Sequence, residues 1–177
     1  MSRTMAEAQL PKRVDAVKLV DNNQQLNADI DSKNLTRLLD AVVHCNEPVH
    51  CEIQFERDQD KNRLLTGSCN TNVVMICQRC LGEVSLPVTS RFQLGLVFDD
   101  DQARQLPKRL EPVELDENGQ LDLWVVMEDE VLLALPAFPM HTNGECQLEQ
   151  TEPEPDYTDS DEKRPNPFDV LAKLKQK

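Results

Sequence analysis

The residues best placed to do chemistry are two cysteines separated by two positions, in Cys77-Gln78-Arg79-Cys80-Leu81-Gly82. Two thiolates at this spacing can both reach one Zn²⁺ at about 2.3 Å. The glycine two positions after the second cysteine suits a turn that points backbone N–H groups at sulfur. A closed structural site needs a second ligand pair, and His141 with Cys146 supplies it on a segment rich in turn residues. The candidate set is therefore Cys77, Cys80, His141 and Cys146 around one structural Zn²⁺, with no open position for catalysis. The alternative is a reduced, metal-free turn. A redox dithiol lacks the βαβ context that such motifs sit in. Cys45, Cys51 and Cys69 read as small apolar core residues. His44-Cys45 and His50-Cys51 have no further ligands at metal-binding spacing.

The knuckle must be held by the elements on either side of it. Leu64 to Ile76 is a β-rich run, with Gly67 marking a bulge or bend. Val84 to Phe98 reads as a further strand, interrupted at Pro87 and Gly95. Upstream, Asp15 caps a short helical turn through Val20, and Leu26 to Ile30 alternates like a strand. Ser32 reads as the N-cap of an amphipathic helix to Val43, with Leu35, Leu38, Leu39, Val42 and Val43 at helical spacing. Val49, Cys51, Ile53 and Phe55 fall on one face of a strand, and Asp58 to Asn62 forms a turn. Asp99-Asp100-Asp101 opens a polar excursion. Glu111 to Leu115 is a short strand followed by an Asn-Gly turn at Asn118-Gly119. Asp122 caps a helix from Leu123 to Leu135, which Pro136 ends. Its inner face is Leu123, Val126, Met127, Val131 and Ala134. Glu128, Asp129 and Glu130 span too wide an arc to stay wholly outside, so one is expected half-buried or partnered and the other two solvated.

These elements predict an α+β domain over residues 10–144. It holds an antiparallel sheet, or partly open barrel, of about five strands with two or three helices. Residues 145–163 form a disordered acidic linker and residues 164–177 a C-terminal amphipathic docking helix. In that last segment Asn166 is a good N-cap, and Pro167 occupies the first helical position. Phe168, Leu171 and Ala172 lie on one side, with Val170 and Leu174 beside them. So short a helix needs a groove, on its own domain or on a partner. The partner-binding candidates are Asn166, Pro167, Phe168, Val170, Leu171 and Leu174.

Charge narrows the function. The chain of 177 residues has a net charge of -13, carried unevenly: -1 over residues 1–98, -16 over 99–162 and +4 over 163–177. Such an acidic chain is a poor polyanion binder by bulk electrostatics. The run from Glu145 to Glu162 holds too little apolar surface to offset the entropy of ordering, and reads first as a spacer, second as an arm for a basic partner. No apolar run approaches the roughly 20 residues needed to span a bilayer. The N-terminal residues lead into no apolar signal core, so a cytoplasmic protein with reduced thiols is expected. There is no Ser/His/Asp order, no phosphate-cradling glycine loop and no paired-carboxylate site, so no enzyme is expected.

Together these features resemble the YceD family, the large ribosomal RNA subunit accumulation proteins. The resemblance rests on Cys77-Gln78-Arg79-Cys80, on Glu111-Pro112-Val113-Glu114 with Asn118-Gly119, and on the stretch from Val126 to Pro136. Pro139-Met140-His141 with Cys146 and Pro165-Asn166-Pro167-Phe168 with Val170-Leu171 complete it, in the family's order. It implies a non-enzymatic bacterial cytoplasmic protein of ribosome biogenesis that supports synthesis, processing or stability of 23S ribosomal RNA. The acidic surface favours action through a ribosomal protein or assembly factor with a basic surface. The alternative is direct binding to large-subunit rRNA precursor, through a patch of Arg57, Lys61, Arg63, Arg79 and Arg91 around the knuckle and the terminal lysines.

Overall fold

A computed structural model describes residues 9–142 and 145–146. They belong to the first of two compact units, Met1–Gln147; the second, Leu148–Lys177, contains none of the described residues. The proposed C-terminal helix and most of the acidic linker therefore lie outside the described residues.

The alternating run that begins at Val49 forms β3, Val49–Arg57. Val49, Cys51, Ile53 and Phe55 are all buried, as a strand with one face on a core requires. On one side β3 pairs antiparallel with β2, Gln25–Ile30; on the other it pairs with the long β4, Arg63–Ile76. β4 runs antiparallel to β5, Glu83–Val97. The sheet closes with β6, Glu111–Glu114, giving the order β2-β3-β4-β5-β6. The α+β architecture is thus as expected, an open five-stranded sheet, but β6 runs parallel to β5. A crossover through α3, Asp100–Gln105, returns the chain to the same end of the sheet. The aspartates read as a polar excursion thus start a helix, with Asp99 accepting the Gln102 N–H at 2.8 Å.

Two further strands escaped sequence reading because each has only three residues: β1, Arg13–Asp15, and β7, Gln120–Asp122, which pair antiparallel. Asp15 caps α1, Ala16–Asp21, as expected. Asp122 caps α4, Leu123–Ala134, accepting the Val125 N–H. Leu123, Met127 and Val131 of α4 are buried against the sheet, with Met127 Sδ 3.5 Å from Cys69 Sγ.

Three local expectations need correction. The helix expected from Ser32 to Val43 is broken. Asp31 accepts the Lys33 N–H and starts a 3-10 turn over Ser32–Asn34, and α2 covers only Thr36–Ala41. The helix stops because Val43 N–H is taken by Val74 O at 2.8 Å, so strand pairing outcompetes the helical pattern. Gly67 makes no bulge: pairing runs unbroken through it to both Ile53 and Phe92. It is glycine because a Cβ there would lie 2.2 Å from Glu52 O. Pro87 and Gly95 do not interrupt β5 either. A Cβ on Gly95 would meet Leu106 at 2.5 Å, and Pro87 lies where β5 has no neighbour on its β6 side among the described residues.

The acidic triplet of α4 is more engaged than its pattern suggests. Glu128 is buried and accepts from Arg37 Nε at 2.9 Å and from the buried Leu38 N–H at 3.1 Å. Asp129 pairs with the same guanidinium. Glu130 is half-buried and accepts from Ser90 Oγ at 3.2 Å. All three are partnered, where two were expected to be solvated.

Candidate metal centre

The β4–β5 hairpin extends beyond the rest of the sheet, and the C-x-x-C segment is its tip. Ile76 and Glu83 are the last paired residues. Between them the chain reverses, with Cys77 N–H donating to Gly82 O at 2.8 Å and Leu81 N–H to Cys77 O at 2.9 Å. The left-handed residue of the turn is Leu81, at φ 60°, not Gly82. A Cβ on Gly82 would only touch Cys80 Sγ, at 3.6 Å, so the glycine is not demanded by backbone conformation. The turn aims the N–H groups of Arg79 and Cys80 at the Cys77 sulfur, and the loop after α4 adds that of His141.

The loop after α4 folds back onto this tip. Pro139 O accepts the Gln78 N–H at 2.9 Å, Ala137 O accepts from Gln78 Nε2, and His141 O accepts from Arg79 Nη2 at 2.9 Å. Glu83 O lies 2.9 Å from His141 Nε2. A carbonyl only accepts, so Nε2 carries the ring proton and Nδ1 presents its lone pair to the thiols. These bonds bring together all four candidate ligands, Cys77, Cys80, His141 and Cys146, with one ligand atom from each lying within 4.8 Å of the others. Cys77 Sγ is 3.7 Å from Cys146 Sγ, and His141 Nδ1 is 3.4 Å from Cys80 Sγ and 3.8 Å from Cys146 Sγ.

Those separations can be tested against a metal. A tetrahedron with Zn–S of about 2.3 Å and Zn–N of about 2.05 Å has S···S edges of about 3.8 Å and S···N edges of about 3.6 Å. The three edges above match within about 0.2 Å. Free thiols gain little from such crowding. Burial, with the neighbouring Cys80 and Cys77 sulfurs, pushes Cys146 up to about 11. Burial works in the same direction on Cys77, but the three backbone N–H groups and His141 outweigh it and bring it down to about 5. A ready thiolate beside a reluctant thiol is what a cation at the centre would resolve, by drawing the second proton off. The His141–Glu83 contact supplies the outer partner that orients a metal-bound imidazole. Sequence reasoning missed the fixing roles of Gln78, Arg79 and the Glu83 carbonyl. Main-chain partners leave no signature in residue types.

Cys45, Cys51 and Cys69 are buried, as expected of apolar residues. Cys51 and Cys69 face each other across β3 and β4 with their sulfurs 3.5 Å apart. The Cys51 contact, with burial, pushes the Cys69 thiol far up, so it stays neutral. The basic residues weighed for RNA are not gathered. Arg57, Lys61 and Arg63 lie at the opposite end of β4 from Arg79, about 40 Å along the strand. Arg57 pairs with Asp21, and Arg63 packs over Phe98. Asn166, Pro167, Phe168, Val170, Leu171 and Leu174, with the terminal lysines, lie outside the described residues.

Comparison with known proteins reaches the same region. Residues 65–175 match the family described as Large ribosomal RNA subunit accumulation protein YceD. The chain is 33% identical over 174 residues to a Haemophilus influenzae protein of that same description, covering 98% of this chain and 100% of that relative. No solved structure matches the chain.

Proposed function

We infer from one premise, that the chain belongs to the YceD family of large ribosomal RNA subunit accumulation proteins, that it serves ribosome biogenesis by supporting the accumulation of large-subunit rRNA. It does so without catalysis, by contact with a ribosomal protein or assembly factor that presents a basic surface. The observation that carries this reading is the charge. The chain has a net charge of -13, and the arginines Arg57, Arg37 and Arg104 are spent on internal ion pairs. A surface of this sign repels phosphate and draws cationic protein. RNA is then stabilised through the partner.

Cys77, Cys80, His141 and Cys146 would hold a Zn²⁺ and so tie the hairpin tip to the loop after α4. Such a centre would be a structural clamp, since four protein ligands would leave no coordination position for substrate. The tip also presents Leu81, Phe138 and Met140 to solvent, an apolar rim suited to the centre of a protein contact. The terminal segment with Phe168 and Leu171 adds a second, independent contact.

The test is affinity purification of the tagged chain from growing cells, with and without ribonuclease. Co-purification of a basic protein that persists after nuclease supports the reading, and Phe168→Ala or Leu171→Ala weakens it. Direct RNA binding is the second reading, though the described arginines do not converge. Affinity for large-subunit rRNA fragments with a steep salt slope would establish it in place of the first.

A further inference from the structure

Among the described residues, the sheet has an unpaired edge in a place where a protein partner would find it. β6 pairs only with Leu94–Val97, and no other described strand lies beside the earlier part of β5 on that side. Which backbone groups face the gap follows from the ladder. Val97 O accepts from Leu115 N on the β6 side, and pairing along β5 has no slip, so every second residue back from Val97 points the same way. Independently, Val74 spends its N–H and C=O on the His44 segment, so its partner Ser85 must also face outward. Ser85, Pro87, Thr89 and Arg91 therefore direct their main-chain polar groups into the gap. Pro87 falls on the one parity where its missing N–H costs the sheet nothing. The gap is bounded at its start by His141, which takes the Glu83 carbonyl.

Beside this edge runs α4, and between them lies a groove of about 400 Å³ lined by Thr89–Leu94, Arg109, Glu111, Glu130, Leu133 and Ala134. Leu133 is 75% exposed on the wall of that groove. Its charge is divided: Glu130 and Glu111 carry the negative side, while Arg91 lies on the exposed face of β5 and Arg109 is already paired with Asp58 at 3.5 Å. Burial raises the Glu130 carboxyl above its ordinary range, and Glu111 and Asp129 add to the rise. A second recess continues the groove between β6 and α4, with Glu114 and Asp129 on its rim.

We propose that this groove binds an extended cationic segment of the partner protein by strand addition to β5. The segment lies in line with β6, bonded through the main chain of Ser85 to Arg91. Its lysines or arginines sit at alternate positions facing α4. Long basic side chains suit that wall: their methylene stems cover Leu133 and their charged heads reach Glu130 and Glu111. Side chains of the other parity lie over the exposed outer face beside Thr89 and Arg91. The mode rests on the reading that the partner is a basic protein, and adds where and how the contact is made.

The probe is a capped peptide of alternating lysine and threonine, long enough to span Ser85 to Arg91 and titrated into the full chain by fluorescence anisotropy. Two isomers carry N-methyl groups, one on every lysine and one on every threonine. Only one parity of the added strand can bond β5, so one isomer should bind as the parent does and the other at least tenfold more weakly. Glu111→Lys and Leu133→Ser, both at exposed positions, should each weaken the parent at least tenfold. Amide exchange at Thr89 and Arg91 should slow when the peptide binds.

If both isomers bind alike, or the amides are not protected, the attraction is only charge and strand addition is wrong, while the basic-partner reading stands. A nuclease-sensitive purification would remove the basic partner and this proposal with it, whatever the peptide does. If the chain alone dimerises and the dimer protects Thr89 and Arg91, the edge belongs to a second copy and the proposal is overturned.

Discussion

Replacing Cys146 by serine tests the metal reading at its most exposed point, because Cys146 is the ligand furthest along the chain from the hairpin tip. The geometry sets the expectation. Three ligand–ligand edges of 3.7, 3.4 and 3.8 Å already lie within about 0.2 Å of a zinc tetrahedron, so binding requires almost no rearrangement. Structural thiolate–imidazole sites in zinc-finger peptides hold Zn²⁺ with apparent free energies of about 10–16 kcal/mol at neutral pH. One equivalent should therefore survive purification. Outer-shell partners alone are worth about 10–100-fold in affinity, so losing a ligand should cost on the order of a hundredfold or more. The assay is competition against a chromogenic chelator, with X-ray absorption on the wild-type protein to read three sulfurs and one nitrogen. Acid should release the metal as its ligands reprotonate. Cys77, held down to about 5, should keep its thiolate longest as pH falls, while Cys146, pushed up to about 11, should compete for its proton even near neutrality. Chelation should speed amide exchange across residues 76–83 and 137–142 while β3, whose inner side chains lie in the core, stays protected. Purified wild-type protein from zinc-replete cells that holds well under one equivalent would refute the reasoning, as would affinity unchanged by Cys146→Ser.

Other outcomes follow from individual contacts. Glu128→Ala should destabilise by about 1–3 kcal/mol in urea denaturation, because it strands the buried Leu38 N–H and removes the Arg37 anchor. Glu130→Gln should stabilise at neutral pH. Its folded-state carboxyl is raised by burial, so ionisation above the ordinary glutamate range costs the native state. The gain should shrink to nothing as pH falls below that range, measured by denaturation midpoints across pH. Gly67→Ala should cost about 2 kcal/mol or more, or prevent folding, since its Cβ would meet Glu52 O at 2.2 Å, whereas Gly82→Ala should change stability by no more than about 0.5 kcal/mol. Calorimetry of the two variants side by side checks the contrast.

What the sequence made legible was whatever depends on local period or on residue type. The inward set of β3, the caps Asp15 and Asp122 and the end of α4 at Pro136 were all readable, because each is fixed within a few residues. The four candidate ligands were readable because cysteine and histidine are the usual ligands of structural zinc. What stayed hidden was set by distant main chain. Val43 leaves its helix to bond Val74, Gly67 is small because the main chain of the neighbouring β3 at Glu52 lies where a Cβ would go, and Leu81 takes the left-handed turn that Gly82 seemed to promise. The parallel direction of β6 is equally silent, since a crossover and a hairpin can carry the same strand pattern.

Helix α4 links the two sites in one mechanical argument. Its buried stripe fixes it to the sheet, and Glu128 ties its middle to α2 through Arg37 and Leu38. That leaves its last turn, with Leu133, facing the open edge of β5. The chain that follows runs straight to Pro139 and His141, which bond Gln78 and Glu83 at the hairpin tip. A metal clamp at the tip would thus set both walls of the groove at once. It would fix Glu83 at the start of the edge and the end of α4 through a tether of only a few residues. A helix end held from both sides can present a groove of constant width. One held only by its own packing frays in its last turn. Metal removal should therefore weaken the lysine–threonine peptide even though no metal ligand lies in the groove. The loss should be confined to the dissociation rate, because the charge that steers encounter is untouched. An unchanged dissociation rate in chelator would show that α4 holds its final turn without the clamp, and would separate the two sites.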